Sequence, residues 1–310
     1  MVYNLPAASH FYKNPVVLTV SFVSASYLIG NLCAYVMVAV LHLLKLNISI
    51  LTTDVIADFL AGEVCLLLGV VVATYVLSHF FKEPVFSTWR GPIWNILLGV
   101  FAGLALGLLL NVLQVRILER FHLYINNQET QFPFTRVLLL SLLVAIAEET
   151  LYRGYVFQVL QRKWGTGLAI SVTSFVFAGA HLFNPGWAST FRNVCDTISV
   201  VASGGLLFSS CLLLTRRMWM PISLHFCWDF FHTLLYGDGA RGITSWSNAA
   251  FNSQRVDESS AVLSFITGVM LLLLAIRRGN WKSVRSCIPC GNSNVPLPTS
   301  PSVQAEDRVV

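Results

Sequence analysis

The stretch Ala147-Glu148-Glu149-Thr150-Leu151-Tyr152-Arg153-Gly154 decides how this chain is read. It lies inside a long apolar run, Phe134 to Val159. Two adjacent carboxylates and an arginine fit hydrocarbon poorly. A charge at membrane depth costs about 2.5–3.5 kcal/mol on insertion scales, so such residues are retained where a site needs them. At about 100° per residue on a helix, Glu149 and Arg153 fall on nearly one face, with the glutamate in the favourable N-terminal position. Glu148 points well away from Arg153. The spacing divides the stretch into a Glu149–Arg153 pair that can neutralise itself and a Glu148 left to face a cavity. A single structural charge cluster is the plainer alternative.

The rest of the chain supports a membrane reading. Of 310 residues, 55% are hydrophobic and only 11% charged, where a soluble domain has about 25% charged residues. Mean hydropathy is +0.67. The class is therefore all-α, a polytopic membrane helix bundle. The net charge of +5 calls for no nucleic acid, because its basic residues gather at the ends of apolar runs. Seven scattered cysteines imply no disulfide framework. The first apolar run is too long for a cleavable signal and is expected to stay as a span.

About 20 apolar residues make a crossing, and eight candidates emerge: Val16–Leu44, Ile56–Phe81, Ile93–Val115, Phe134–Val159, Thr166–Phe183, Ile198–Leu214, Met220–Leu235 and Ala261–Ile276. No internal repeat stands out. Residues 1–132 form an N-terminal group of about three spans, 133–236 a core, 237–280 a loop and last span, and 281–310 a polar tail read as disordered. Within that tail, Cys287 and Cys290 lack further zinc ligands and read as thiols or as a palmitoylation site. With the N-terminus inside, eleven Lys and Arg face the cytoplasm: Lys13, Lys82, Arg90, Arg162, Lys163, Arg216, Arg217, Arg277, Arg278, Lys282 and Arg285. Seven face away: Lys45, Arg116, Arg120, Arg136, Arg192, Arg241 and Arg255. The excess places both termini in the cytoplasm. The sequon Asn47-Ile48-Ser49 would then face outside.

Two later segments carry partners for Glu148. The fifth holds Phe177-Ala178-Gly179-Ala180-His181 and then Asn184-Pro185-Gly186, a helix stop that leaves His181 near a helix end. The seventh begins Met220-Pro221 and carries His225 and Asp229 four apart on one face; a carboxylate beside an imidazole fixes its tautomer. His232 shares roughly that face and ranks lower. A Glu and a His can activate water for attack on a carbonyl, and a second His with an Asp can stabilise the oxyanion. The same donors could hold zinc with an open position; Glu148, His181 and His225 are the candidate ligands.

Glu148-Glu149-x-x-x-Arg153, Phe177-x-x-x-His181 and His225-x-x-x-Asp229, in this order within apolar segments, resemble the CAAX protease and bacteriocin-processing (CPBP) family. These are Abi-type intramembrane endopeptidases related to the CAAX prenyl endopeptidase. The resemblance covers about Pro133 to Leu235. It implies that Glu148 activates water with His181, that His225 and Asp229 stabilise the oxyanion, and that Glu149 and Arg153 support them. No cofactor is then required. The implied partners are the lipid bilayer and a membrane-associated protein or peptide, prenylated in one branch. The prenyl-endopeptidase branch usually ends its third motif in Asn where this chain has Asp229. Glu-Glu-Thr-Leu-Tyr-Arg-Gly is closer to the bacterial and plastid branch. The membrane expected is the plasma membrane in a prokaryote, or the endoplasmic reticulum or a plastid membrane in a eukaryote, with attack near the cytoplasmic leaflet. Two other readings are a non-proteolytic scaffold or bacteriocin-immunity protein of the same fold and, last, an ion-coupled transporter.

One expectation conflicts with the rest. Glu148 lies about 21 Å from the Arg162 end of its helix and His181 at a similar depth, but His225 lies only about 6–9 Å from the start of its own.

Overall fold

Where lipid surrounds a chain, the backbone must satisfy its own hydrogen bonds, and the helix does so within one segment. The computed structural model describes residues 14–43, 64–65, 67–73, 76, 88–120, 134–183, 189–236 and 249–281, and these hold helices and no strand. In chain order they are α1 (Pro15–Leu43), α2 (Ile93–Glu119), α3 (Phe134–Glu149), a π-helical segment (Thr150–Val156), α4 (Phe157–Trp164), α5 (Thr166–His181), α6 (Phe191–Thr215), α7 (Trp219–Tyr236) and α8 (Ala249–Arg277). Residues 64–65, 67–73 and 76 are also helical. The N-terminal residues, the Asn47 sequon and the tail with Cys287 and Cys290 lie outside the described residues.

Seven of the expected spans coincide with described helices, whereas of Ile56–Phe81 only residues 64–65, 67–73 and 76 are described, and these are helical. Among the described residues, however, only Ile93–Glu119, Phe191–Thr215 and Arg255–Arg277 have the length and hydropathy of a membrane crossing; Thr19–Gly30 and Thr166–His181 are shorter apolar helices. Three described helices long and apolar enough to cross a membrane are what an integral multi-pass membrane protein requires. Among the described residues Cys195, Cys211 and Cys227 form no disulfide.

The central element is continuous from Phe134 to Trp164. The residues flanking the π segment, Glu149 and Phe157, are both right-handed helical, so α3, π and α4 form one rod. It stops at Gly165, whose φ of 81° suits glycine. Thirteen successive positions, 149–161, are buried. Phe22 of α1 stacks on Tyr155 with ring centroids 3.7 Å apart.

A small-residue seam sets α7. Gly99, Gly103 and Gly107 of α2 are buried, and their spacing lets two helix backbones approach. A Cβ on Gly103 would overlap Ser223 Oγ and lie 2.9 Å from Leu224 N. One on Gly107 would lie 2.7 Å from Cys227 Cβ. Residues 223 and 227 thus face α2, which turns 225 and 229 the other way, towards α3, which also packs against α7.

A ledge formed by Thr88 and Trp89 holds the first turn of α7. Met218 N donates to Thr88 O at 3.2 Å, and Trp219 Nε1 to Trp89 O at 3.1 Å. The two indoles pack edge to face at 5.3 Å, and Arg217 Nη1 bonds Arg90 O. Gln158 Nε2 of α4 reaches Thr88 Oγ1 at 3.3 Å. The start of α7 is therefore recessed to the level of Gln158, six residues short of the rod's end at Trp164. His225 then lies about 18 Å from that end at 1.5 Å per residue, within a few ångströms of the depth of Glu148 and His181. The recess removes the conflict in depth that the sequence presents.

Candidate active site

Glu148 and Glu149 end α3, where the helix changes register. Phe157 N–H bonds Tyr152 O, five residues back, and Gln158 Nε2 lies 3.3 Å from Arg153 O, the next carbonyl in line. Thr150 Oγ1 bonds Ile146 O at 2.6 Å. Such π turns occur frequently at functional sites. Across this wider turn Arg153 still reaches back one turn: its Nη1 donates to Glu149 Oε1 at 2.9 Å, and both side chains are fully buried.

The same Glu149 oxygen accepts from His225 Nδ1 at 2.9 Å. His225 Nε2 faces Asp229 Oδ2 at 3.3 Å and Glu148 Oε2 at 3.7 Å. Ionised carboxylates only accept, so both ring nitrogens of His225 act as donors. His181 differs. Its Nδ1 donates to Phe177 O at 2.9 Å, which leaves Nε2 turned to Glu148 Oε1 at 3.8 Å. That distance is too long for a direct hydrogen bond and short enough for one water to bridge. Glu148 is therefore a carboxylate set between two imidazoles, with its side chain 15% exposed.

The structure brings together all six residues singled out by the sequence: Glu148, Glu149, Arg153, His181, His225 and Asp229. It divides the contacts of His225 differently from the expected His225–Asp229 pair, since the shortest is to Glu149. Aromatic residues complete the site. Phe208 of α6 stacks on His225 with centroids 4.6 Å apart and an interplanar angle of 16°. The Arg153 guanidinium lies 4.4 Å from the Phe177 ring and 5.1 Å from the Phe208 ring. Arg153 Nε and Nη2 have no hydrogen-bond partner among the described residues, and these ring faces supply the attraction a cation finds over an aromatic. Phe177 also packs edge to face with His181 and Tyr152. Phe208 had no signal in the sequence beyond being an aromatic in an apolar segment.

Among the described residues no group of three or more His, Cys, Asp and Glu is arranged as a metal site. The two imidazoles approach different oxygens of Glu148.

Residues 130–231 match the family model described as type II CAAX prenyl endopeptidase Rce1-like. The chain carries an Rce1-like domain. The matched segment runs through α3, the π segment and α4 to α7 and contains every residue of the cluster. No curated protein matches the chain. Rce1-like proteins are CAAX proteases, so the domain belongs to a family that acts on protein or peptide substrates.

Proposed function

We propose that this protein is an intramembrane endopeptidase that hydrolyses a peptide bond of a membrane-associated protein or peptide. One observation carries the reading: the Glu148 carboxylate stands between the Nε2 atoms of His181 and His225, on three helices, beside the buried Glu149 and Arg153. A water held by Glu148 Oε1 and His181 Nε2 gives a proton to Glu148 as its oxygen bonds to the scissile carbonyl carbon. The carbonyl oxygen becomes an oxyanion, and His225 Nε2–H is the donor placed to stabilise it. Glu148 then returns the proton to the nitrogen as the C–N bond breaks, leaving a carboxyl and an amine. Asp229 and Glu149 keep His225 in its donating form and orientation, and Arg153 balances Glu149. This sequence uses no metal; activity that survives exhaustive chelation, with no metal in the purified protein, tests that part.

A prenylated CAAX C-terminus is one substrate class within the family's range, and a plasma, endoplasmic-reticulum or plastid membrane is the setting. The deciding experiment compares the termini of membrane proteins in cells carrying wild-type or Glu148→Gln protein. Termini that vanish in the variant, at equal protein level, are the expected result. An unchanged set would leave a non-proteolytic scaffold as the reading.

A further inference from the structure

Three helix ends are fastened into a basic clasp at one end of the bundle. α8 closes through Gly279, at φ 71°, with Asn280 N donating to Ala275 O at 2.9 Å, a closure that glycine permits. The turn lays Asn280 and Trp281 across two neighbouring helices. Asn280 Nδ2 donates to Leu214 O at 3.1 Å, and its Oδ1 accepts from Arg216 Nε at 3.1 Å. Trp281 O accepts from Thr166 Oγ1 at 2.6 Å. Arg216 holds φ 55° at a helix end usually given to glycine. Arg162 and Lys163 of α4, Arg216 after α6, and Arg277 and Arg278 of α8 are thereby brought to one clasp, and all five are exposed.

The clasp has no acid beside it. Among the described residues, Glu148, Glu149 and Asp229 belong to the site, and Glu119, Asp196, Asp257 and Glu258 lie on the far ends of α2, α6 and α8. There Arg116, Arg192 and Arg255 are each matched by an acid on their own helix, at 3.0, 3.8 and 3.3 Å. A lysine or arginine near a helix C-terminus gains from the helix dipole. That accounts for each cation singly, but five held together without a carboxylate repel one another and favour an outside anion. Trp164 and Trp281, 38% and 40% exposed, flank the clasp. Tryptophan settles at the level of the lipid headgroups, which makes the lipid phosphate the nearest anion.

We infer that this clasp is a binding site for the headgroup of an anionic phospholipid. By the excess of Lys and Arg this end faces the cytoplasm, and the cytoplasmic leaflet carries the anionic lipids. The inference is independent of the endopeptidase reading.

The test uses the full-length protein in detergent micelles, titrated with dioleoylphosphatidylglycerol or dioleoylphosphatidylcholine, with bound lipid counted by native mass spectrometry. The wild type is expected to retain phosphatidylglycerol in preference to phosphatidylcholine. The triple variant Lys163→Gln, Arg277→Gln, Arg278→Gln is expected to bind phosphatidylglycerol about a hundredfold more weakly. The charge-keeping pair Arg277→Lys with Arg278→Lys is expected to retain it, which separates lost charge from lost fold. Arg116→Gln, Arg192→Gln, Arg255→Gln at the far end is expected to bind as the wild type does. Equal retention of the two lipids by the wild type overturns the inference. So does an equal loss in the far-end variant, which would reduce the preference to diffuse charge. Displacement of the lipid by inorganic phosphate at equal concentration overturns it too, since the clasp would then be an anion site with no use for a lipid.

Discussion

Glu148 and Glu149 are neighbours in the chain and opposites in the fold. Glu149 belongs to the floor of the site, where it is sealed from solvent and shares one oxygen between Arg153 and His225. Glu148 belongs to the mouth, partly exposed, with both imidazoles at 3.7–3.8 Å rather than at bonding distance. The floor is a set of buried charges, each costly without its partners. The mouth keeps one carboxylate loosely held, as proton transfer requires. The contrast separates residues that hold the site together from residues that react.

The largest effect on activity is expected at the mouth. Glu148→Gln removes the base and is expected to lower kcat by about 10²–10⁴-fold, with the unfolding midpoint in detergent unchanged. A kcat within a fewfold of wild type would erase the distinction between mouth and floor. The largest effect on stability is expected at the floor. Arg153→Met leaves Glu149 buried with one partner fewer and is expected to cost about 3–5 kcal/mol, read as a lowered unfolding midpoint. The double variant Glu149→Gln with Arg153→Met is expected to lose less than the two single losses added together, because neither charge is then left alone.

Phe208→Leu is a smaller and sharper test. It keeps an apolar side chain, though a smaller one, and removes the ring that covers both His225 and Arg153, at a cost of about 2 kcal/mol on the scale of a desolvated cation–π contact. Its kcat is expected to fall while KM holds, because the ring orients His225 rather than binding substrate. The smallest effect is expected from Asp229→Asn. The amide oxygen can still accept from His225 Nε2, and Glu149 holds the other nitrogen, so the loss stays near that of one hydrogen bond, about 1 kcal/mol. A collapse of activity in Asp229→Asn would mean that Asp229, not Glu149, orients the imidazole.

Much of this was legible in the residues. The scarcity of charge and the long apolar runs place the chain in the membrane as helices. The i,i+4 spacing of Glu149 and Arg153 is a local property, and the bond it forms needs no tertiary contact. The three motifs name the helices that must meet. What could not be read is set by packing between distant segments. Hydropathy starts α6 at Ile198, but it starts at Phe191, because Thr190 Oγ1 caps it by accepting from Asn193 N at 3.1 Å. It likewise begins the last helix at Ala261 rather than Ala249, since the polar first turns of α8 have no apolar signature. The recess of α7 depends on a ledge more than a hundred residues earlier, and Phe208 acquires its place only when α6 lies across the floor.

By itself the sequence determined that this is a helical membrane protein, that Glu149 and Arg153 pair, and that a glutamate, two histidines and an aspartate are available for chemistry. These follow from composition and from the helical repeat, which act over a few residues. Tertiary structure decided the rest: that His225 is shared by three carboxylates, that the start of α7 is recessed so the histidines meet Glu148 at one depth, and that the two adjacent glutamates part into floor and mouth. The physical reason is that burial and partnership are properties of a site assembled from several helices. A side chain's neighbours along one helix cannot say which of its charges the other helices will seal in and which they will leave within reach of water.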